Sequence, residues 1–194
     1  MVGARMGHLP AIIWLTGLSG AGKTTLAHGA SRIAETFGIH TCVIDGDVIR
    51  TTICQDLGFS YEDRCENIRR AGELAIMHAS KGALVFVALV SPFELSRRNV
   101  AHKCGACGLQ FALVHVHAPI SCCENRDTKG FYKLARSGHL PMFTGISSPY
   151  ELPPFPTLTV YTDTESVEDS VFKVATLALK LVRKDRQSVL GARS

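Results

Sequence analysis

The sequence has no apolar run long enough to cross a bilayer. Its longest clean stretch, Ala83 to Val90, is eight residues, against about 20 for a spanning helix. It also has little net charge: 21 basic and 17 acidic side chains leave +4. A nucleic-acid binder needs cations clustered on the fold itself. The visible cluster here, Arg183, Lys184, Arg186 and Arg193, forms a basic C-terminal tail (183–194), offset in part by Asp185. Neither nucleic acid nor a membrane is expected as a partner. No export leader is expected either: Met1 to Pro10, an N-terminal tail, carry Arg5 but no apolar middle and no small-residue cleavage site. A cytoplasmic location is expected. The seven cysteines are an odd number without that leader, which argues against a disulfide framework. Cys104 and Cys107 form a CxxC, but the second pair of a structural zinc site is absent. Adjacent Cys122 and Cys123, and His115 alternating with His117, do not have zinc spacing either. Ordinary reduced thiols are expected.

There is no internal repeat and no composition break marking a second domain. What is present is 46% hydrophobic and 20% charged residues, the balance of one soluble globular domain across residues 1–194. Apolar runs alternate with helical patterns. Strands are predicted at Ala11–Thr16, Thr41–Ile44, Ala83–Val90, Phe111–His117 and Thr157–Tyr161. Helices are predicted at Gly22–Phe37, Ser60–Ser80, Glu94–Lys103, Pro119–Asn125 and Val167–Val182. Ser60 followed by Asp63 resembles a capping box. This alternation predicts an α/β fold, a parallel sheet with helices on both faces. Residues 126–156 are rich in Gly, Pro and cations, show little periodicity, and read as a functional lid or loop.

The first strand runs into Gly17-Leu18-Ser19-Gly20-Ala21-Gly22-Lys23-Thr24-Thr25. This is the G-x-x-x-x-G-K-[ST] phosphate-binding loop, in the strand-to-helix context the motif requires. Glycines let successive backbone N–H groups turn inward around a phosphate, and the following helix points its positive end at the same anion. Lys23 can reach the β and γ phosphates, and the Thr24 hydroxyl can bind Mg²⁺. Gly17, Ser19, Gly20, Ala21, Gly22, Lys23, Thr24 and Thr25 are therefore the expected ATP-binding set.

GTPases and motor-type ATPases place a metal-binding Asp after a hydrophobic strand. Here Ala83–Val90 ends in Ser91-Pro92, and no Asn-Lys-x-Asp motif is present. The acids end the second strand instead, as Asp45-Gly46-Asp47. A small-molecule kinase fits this pattern: a carboxylate near an acceptor hydroxyl, cations for an anionic acceptor, and a basic lid to exclude water. Arg64, Asn67 and Ala71 share one helix face, and Arg50 and Phe59 lie on the connection before it. Guanidinium forks and a ring face suit an anionic nucleotide. The spacing fits exposed helix charges equally well.

Beyond the loop, the chain resembles the adenylylsulfate kinase family over nearly its whole length. The stretches are GLSGAGKTT (17–25), DGDVIR (45–50), LGFSYEDRCENIRR (57–70), SP (91–92), RDTKGFYKLAR (126–136), FTGI (143–146) and SPYE (148–151). The resemblance implies a P-loop kinase fold and transfer of the ATP γ-phosphate to the 3′-hydroxyl of adenosine 5′-phosphosulfate (APS). The products are 3′-phosphoadenosine 5′-phosphosulfate (PAPS) and ADP. It implies that Asp47, Arg50, Phe59, Arg64, Asn67, Lys129 and Phe143 contact APS, with Phe143 stacked on its adenine. Arg126 would lie in the lid near the ATP adenine, and Asp45 would hold the metal or take the acceptor proton. Lys23, Asp45, Asp47 and Ser91 are the expected catalytic set, with Thr24 and Asp45 at the metal. Ser91 matches a serine described in the family as a phosphoserine intermediate. Direct in-line transfer is the expectation here, because no general base stands beside Ser91 in sequence. Its place at the end of a parallel strand suggests substrate contact instead. A homodimer is a further implication.

Several positions depart from the family pattern. Val48 replaces an Asn, Leu134 a Lys, Thr128 a Pro and Ser96 an Asp, and Met142 precedes FTGI where a polar or small residue is usual. These changes leave the phosphate machinery intact and bear on acceptor affinity or identity. Two alternatives follow: a related kinase for another phosphorylated acceptor, and a nucleotide-binding regulator without catalysis. The retained Lys23, Thr24, Asp45 and Asp47 argue against the second.

Overall fold

A computed structural model describes residues 9–127 and 129–183. Thr128, and Lys184 to Ser194 of the expected basic tail, lie outside the described residues, as do Met1 to His8 of the expected N-terminal tail. The strands are β1 (Ala11–Thr16), β2 (Thr41–Asp45), β3 (Leu84–Ala88), β4 (Gln110–His117) and β5 (Leu158–Tyr161). The helices are α1 (Lys23–Thr36), α2 (Gly46–Arg50), α3 (Tyr61–Ser80), α4 (Glu94–Ala106), α5 (Ile120–Arg126), α6 (Phe131–Arg136) and α7 (Val167–Val182). All four strand pairings are parallel, in the order β2-β3-β1-β4-β5.

The two-residue side-chain period of a strand builds two cores. Ala11, Ile13 and Leu15 of β1 face one cluster, with Leu26, Ala27 and Ala30 of α1 and Val174 and Ala178 of α7. Ile12 and Trp14 face the other, with Ile68, Ala71 and Ala75 of α3 and Val100 of α4. Every residue of β1 and β3 is buried, as continuous apolar central strands require. Among the described residues, no helix is long and apolar enough to cross a membrane.

From β1 the chain crosses to β2 on one side of the sheet, fills the gap with β3, then passes to β4 on the other side. The crevice at this switch point opens at the C-terminal end of β1, where an open parallel sheet binds ligands.

Two short helices have no counterpart in the sequence reading. Helix α2 is capped by Asp45, whose side chain accepts from the Asp47 N–H at 2.8 Å. Helix α6 falls inside the expected loop region and buries Tyr132 and Ala135. Five or six residues are too few to display a helical period. At α3 the Ser60 hydroxyl accepts from the Asp63 N–H at 3.0 Å, so the cap lies where Ser60 and Asp63 indicated.

Candidate active site

The phosphate loop leaves β1 through a glycine that no other residue could replace. A Cβ on Gly17 would lie 2.3 Å from the Val116 carbonyl oxygen of β4. Gly22 begins α1 with φ +101°, a left-handed conformation natural to glycine. Lys23 follows, almost wholly buried, and its ammonium donates to the Leu18 carbonyl at 2.8 Å. Burial pushes its pKa down to about 8, opposed by the charges of Cys123, Asp47 and Asp45. A phosphate in the loop would supply the counter-charge that this buried cation lacks.

The loop borders a cavity of about 580 Å³, walled by Lys23, Thr24, Asp45, Asp47, Arg126 and Lys129 among others. That is room for a nucleotide phosphate chain and its surroundings. Ser19, Gly20, Gly22 and Thr25 also line it; Gly17 and Ala21 do not. Inside, the Thr24 hydroxyl donates to Asp45 Oδ2 at 2.6 Å. Asp47 forms an ion pair with Lys129 across the cavity. Arg126 donates to the Gly20 carbonyl at 3.2 Å, and to the Thr162 hydroxyl at 3.1 Å and carbonyl at 2.5 Å. It thus braces the loop against the end of β5.

A second cluster gathers the residues from positions 50 to 67. The Arg50 and Arg64 guanidiniums lie 4.4 and 5.3 Å from the Phe59 ring centroid. Arg64 donates to the Phe59 carbonyl at 3.1 Å and the Met142 carbonyl at 2.7 Å. It is 7% exposed and Asn67 is 5% exposed. The reading of these residues as solvated helix charges is therefore excluded. Burial, then the Arg50 charge, lowers the Arg64 pKa to about 10, and burial also lowers that of Arg50. Two crowded, partly desolvated cations favour an anion between them. Asn67 Nδ2 and Thr144 Oγ1 are buried with no hydrogen-bond partner. A buried orphan donor beside such cations fits a ligand that supplies the acceptor. Val48 is exposed on α2, so its replacement of a polar residue disturbs no core.

One expected residue, Ser91, sits away from the cavity, and another, Phe143, is packed into the protein. Ser91 is 2% exposed, and the Val90 residue before it lines the cavity instead. The Trp14 indole N–H donates to Ser91 Oγ at 3.0 Å, and Oγ donates to the Leu89 carbonyl at 3.3 Å. Ser91 also adopts φ +39°, with its carbonyl accepting from Arg97 at 2.6 Å. The structure does not bring the Ser91 hydroxyl to the cavity, because the buried indole has claimed it. Phe143 is likewise buried, its ring meeting Tyr132 edge-on at 4.9 Å. Sequence reasoning missed Tyr132 and Thr162, both at the cavity wall. Thr162 was detectable as a hydroxyl just past the last strand, at the ligand-binding edge of the sheet. Tyr132 lay within the RDTKGFYKLAR stretch (126–136) that carries the resemblance, but no role followed from it.

Comparison with known proteins agrees with this geometry. The family model for adenylylsulphate kinase matches residues 9–161. An adenylyl-sulfate kinase of Acaryochloris marina is 49% identical over 162 residues, 84% of this chain and 78% of its own length. One from Shewanella baltica is 43% identical over 190 residues, 95% of this chain and 90% of its own length. The structure of the Mycobacterium tuberculosis APS kinase CysC in complex with AMPPNP and APS superposes with a TM-score of 0.85. That pair is 38% identical, covering 89% of this chain and 98% of the other. Identity at this level runs far beyond a shared phosphate loop, and the chain belongs to the adenylylsulphate kinase family.

Proposed function

We propose that this protein transfers the γ-phosphate of ATP to the 3′-hydroxyl of adenosine 5′-phosphosulfate, releasing PAPS and ADP. One observation carries the reading. Besides a phosphate loop with a buried Lys23, the chain holds a second buried polar pair, Arg64 and the unpartnered Asn67 amide, linked to the loop through Met142, Phe143 and Tyr132. The first cluster suits the donor and the second the acceptor.

Catalysis of phosphoryl transfer is mainly positioning and charge stabilisation. In this reading the loop N–H groups and Lys23 hold the β and γ phosphates. Arg50, Arg64 and Asn67 hold the acceptor's anionic groups, with Phe59 and Phe143 beside its base. Asp45 ends β2 and Asp47 lies in the first turn of α2, both at the cavity wall, where a carboxylate can take the acceptor proton. Lys129, paired with Asp47, brings a lid cation to the same point. Arg126 closes the donor side. Thr24 Oγ1 and Asp45 Oδ2 are hard oxygens 2.6 Å apart at the cavity wall. They fit Mg²⁺, which binds few protein ligands and keeps water and phosphate oxygens. When bound, it neutralises charge on the phosphates. Ser91 supports the strand end and forms no phosphoserine. Residues 126–156 act as the lid of a single-domain enzyme. The unpaired state of all seven cysteines supports a reducing, cytoplasmic compartment, and a homodimer is the proposed assembly.

Purified protein with ATP and Mg²⁺ should release ADP only when APS is added. Turnover with another nucleotide acceptor and none with APS would overturn the assignment.

A further inference from the structure

The phosphate loop is held through its carbonyls by four side chains, three of which its motif does not include. Four consecutive carbonyls accept side-chain hydrogen bonds. Lys23 donates to Leu18 O at 2.8 Å, Tyr132 Oη to Ser19 O at 2.9 Å, Arg126 to Gly20 O at 3.2 Å and Thr162 Oγ1 to Ala21 O at 2.8 Å. In a planar trans peptide, C=O and the following N–H point in opposite directions. A carbonyl held by a side chain therefore fixes the direction of the next N–H; after Gly20 that N–H, of Ala21, turns back to the Leu18 carbonyl at 3.2 Å. Each clamp resists one peptide flip.

Tyr132 reaches further than the others. It sits on α6 in the same segment as Lys129, which pairs with Asp47. Its ring meets Phe143 edge-on at 4.9 Å and 81°. Phe143 follows Met142, whose carbonyl accepts from Arg64. Direct contacts thus run from Arg64 through Met142 and Phe143 to Tyr132, and from its hydroxyl to Ser19. Burial raises the Tyr132 pKa above the ordinary phenol value, so the hydroxyl stays protonated as a donor.

We propose that Tyr132 is a positioning residue that couples the acceptor cluster to the phosphate loop, through its hydroxyl on Ser19 and its ring on Phe143. The inference rests on the kinase reading for the identity of the acceptor. An acceptor seated against Arg64 and Phe143 orders this wall, and the wall holds the Ser19 peptide in its phosphate-binding orientation. ATP then meets a loop whose ordering cost is already met, and linkage makes the effect reciprocal.

Calorimetric titration of the protein with Mg²⁺ and AMPPNP, with and without saturating APS, reads the coupling directly. In the wild type, APS should tighten AMPPNP binding about fivefold or more. Tyr132→Phe keeps the ring and removes only the hydroxyl. The APS effect should fall to about onefold, with kcat down about tenfold and the KM for APS at saturating ATP raised by about the lost coupling factor. A purely structural role would lower the melting temperature and leave the coupling intact. Phe143→Leu breaks the relay at its other end and should also lose the coupling, which keeps the test alive if Tyr132→Phe folds poorly. No coupling in the wild type, or an unchanged factor in the foldable variants, overturns the proposal. Failure of APS to bind the wild type at all overturns the kinase reading, a result distinct from binding without coupling.

Discussion

At the scale of single residues, Lys23 shows what the site costs. Its pKa is about 8 in the folded chain and 10.5 when unperturbed. Between these values the unfolded chain binds a proton that the folded chain does not. Stability therefore rises as pH goes from 8 toward 10.5, and below 8 the full penalty, about 3 kcal/mol, stands. Lys23→Met keeps the volume and removes the charge. Its ligand-free form should melt higher than the wild type at pH 7 and lose the rise in stability between pH 8 and 10. Its kcat should fall by orders of magnitude. Melting curves across that pH range, beside an ADP-release assay, check all three. Ser91 predicts the reverse pattern. Ser91→Ala leaves the buried Trp14 N–H without its acceptor and should cost about 1–3 kcal/mol of stability. It should retain substantial turnover, because its hydroxyl is buried against Trp14 and Ser91 does not line the cavity. Total loss of activity in folded Ser91→Ala, with a phosphoserine trapped in the wild type, would sink the direct-transfer view.

At the scale of elements, α3 shows how local signals deliver a functional side chain. Ser60 caps the helix through the Asp63 N–H, and Arg64 lies one turn further on. Ser60→Ala should lower stability by about 1 kcal/mol. Fraying of that turn loosens Arg64, so the KM for APS should rise more than the KM for ATP. Steady-state kinetics against each substrate in turn would show the split. Helix α6 behaves differently. It is six residues long and starts at Gly130 with φ +70°, and its placement depends on what Tyr132 and Ala135 bury against. Hydrophobic periodicity finds α3 because twenty residues repeat the pattern. It misses α6 because a single turn and a half cannot.

At the scale of the whole molecule, the sheet order brings together segments far apart in sequence. Ser19, Lys23, Asp45, Arg126, Tyr132 and Thr162 meet around one cavity. A nucleotide there bridges elements from both ends of the chain. AMPPNP with Mg²⁺ at about 100 times its Kd should stabilise the protein by about 2.7 kcal/mol, seen as an upward melting shift. The shift should vanish in Lys23→Met.

Much of this was legible in the order of the residues. The phosphate loop announced itself because a glycine pattern between strand and helix is local, and local geometry follows from local sequence. The five strands and the long helices were legible for the same reason: burial on one face or two imprints a period. Asp45, Asp47, Lys129 and Arg126 were legible as candidates through motifs. Only the tertiary structure decided which of them meet, because burial and hydrogen-bond partners depend on residues distant in the chain. It buried Arg64 and Asn67 where spacing equally allowed a solvated face, and it turned Ser91 toward Trp14, 77 positions away. It also recruited Tyr132 and Thr162 to carbonyls 113 and 141 positions earlier. A side chain's type is written at its own position; its partner is set by the sheet that carries both.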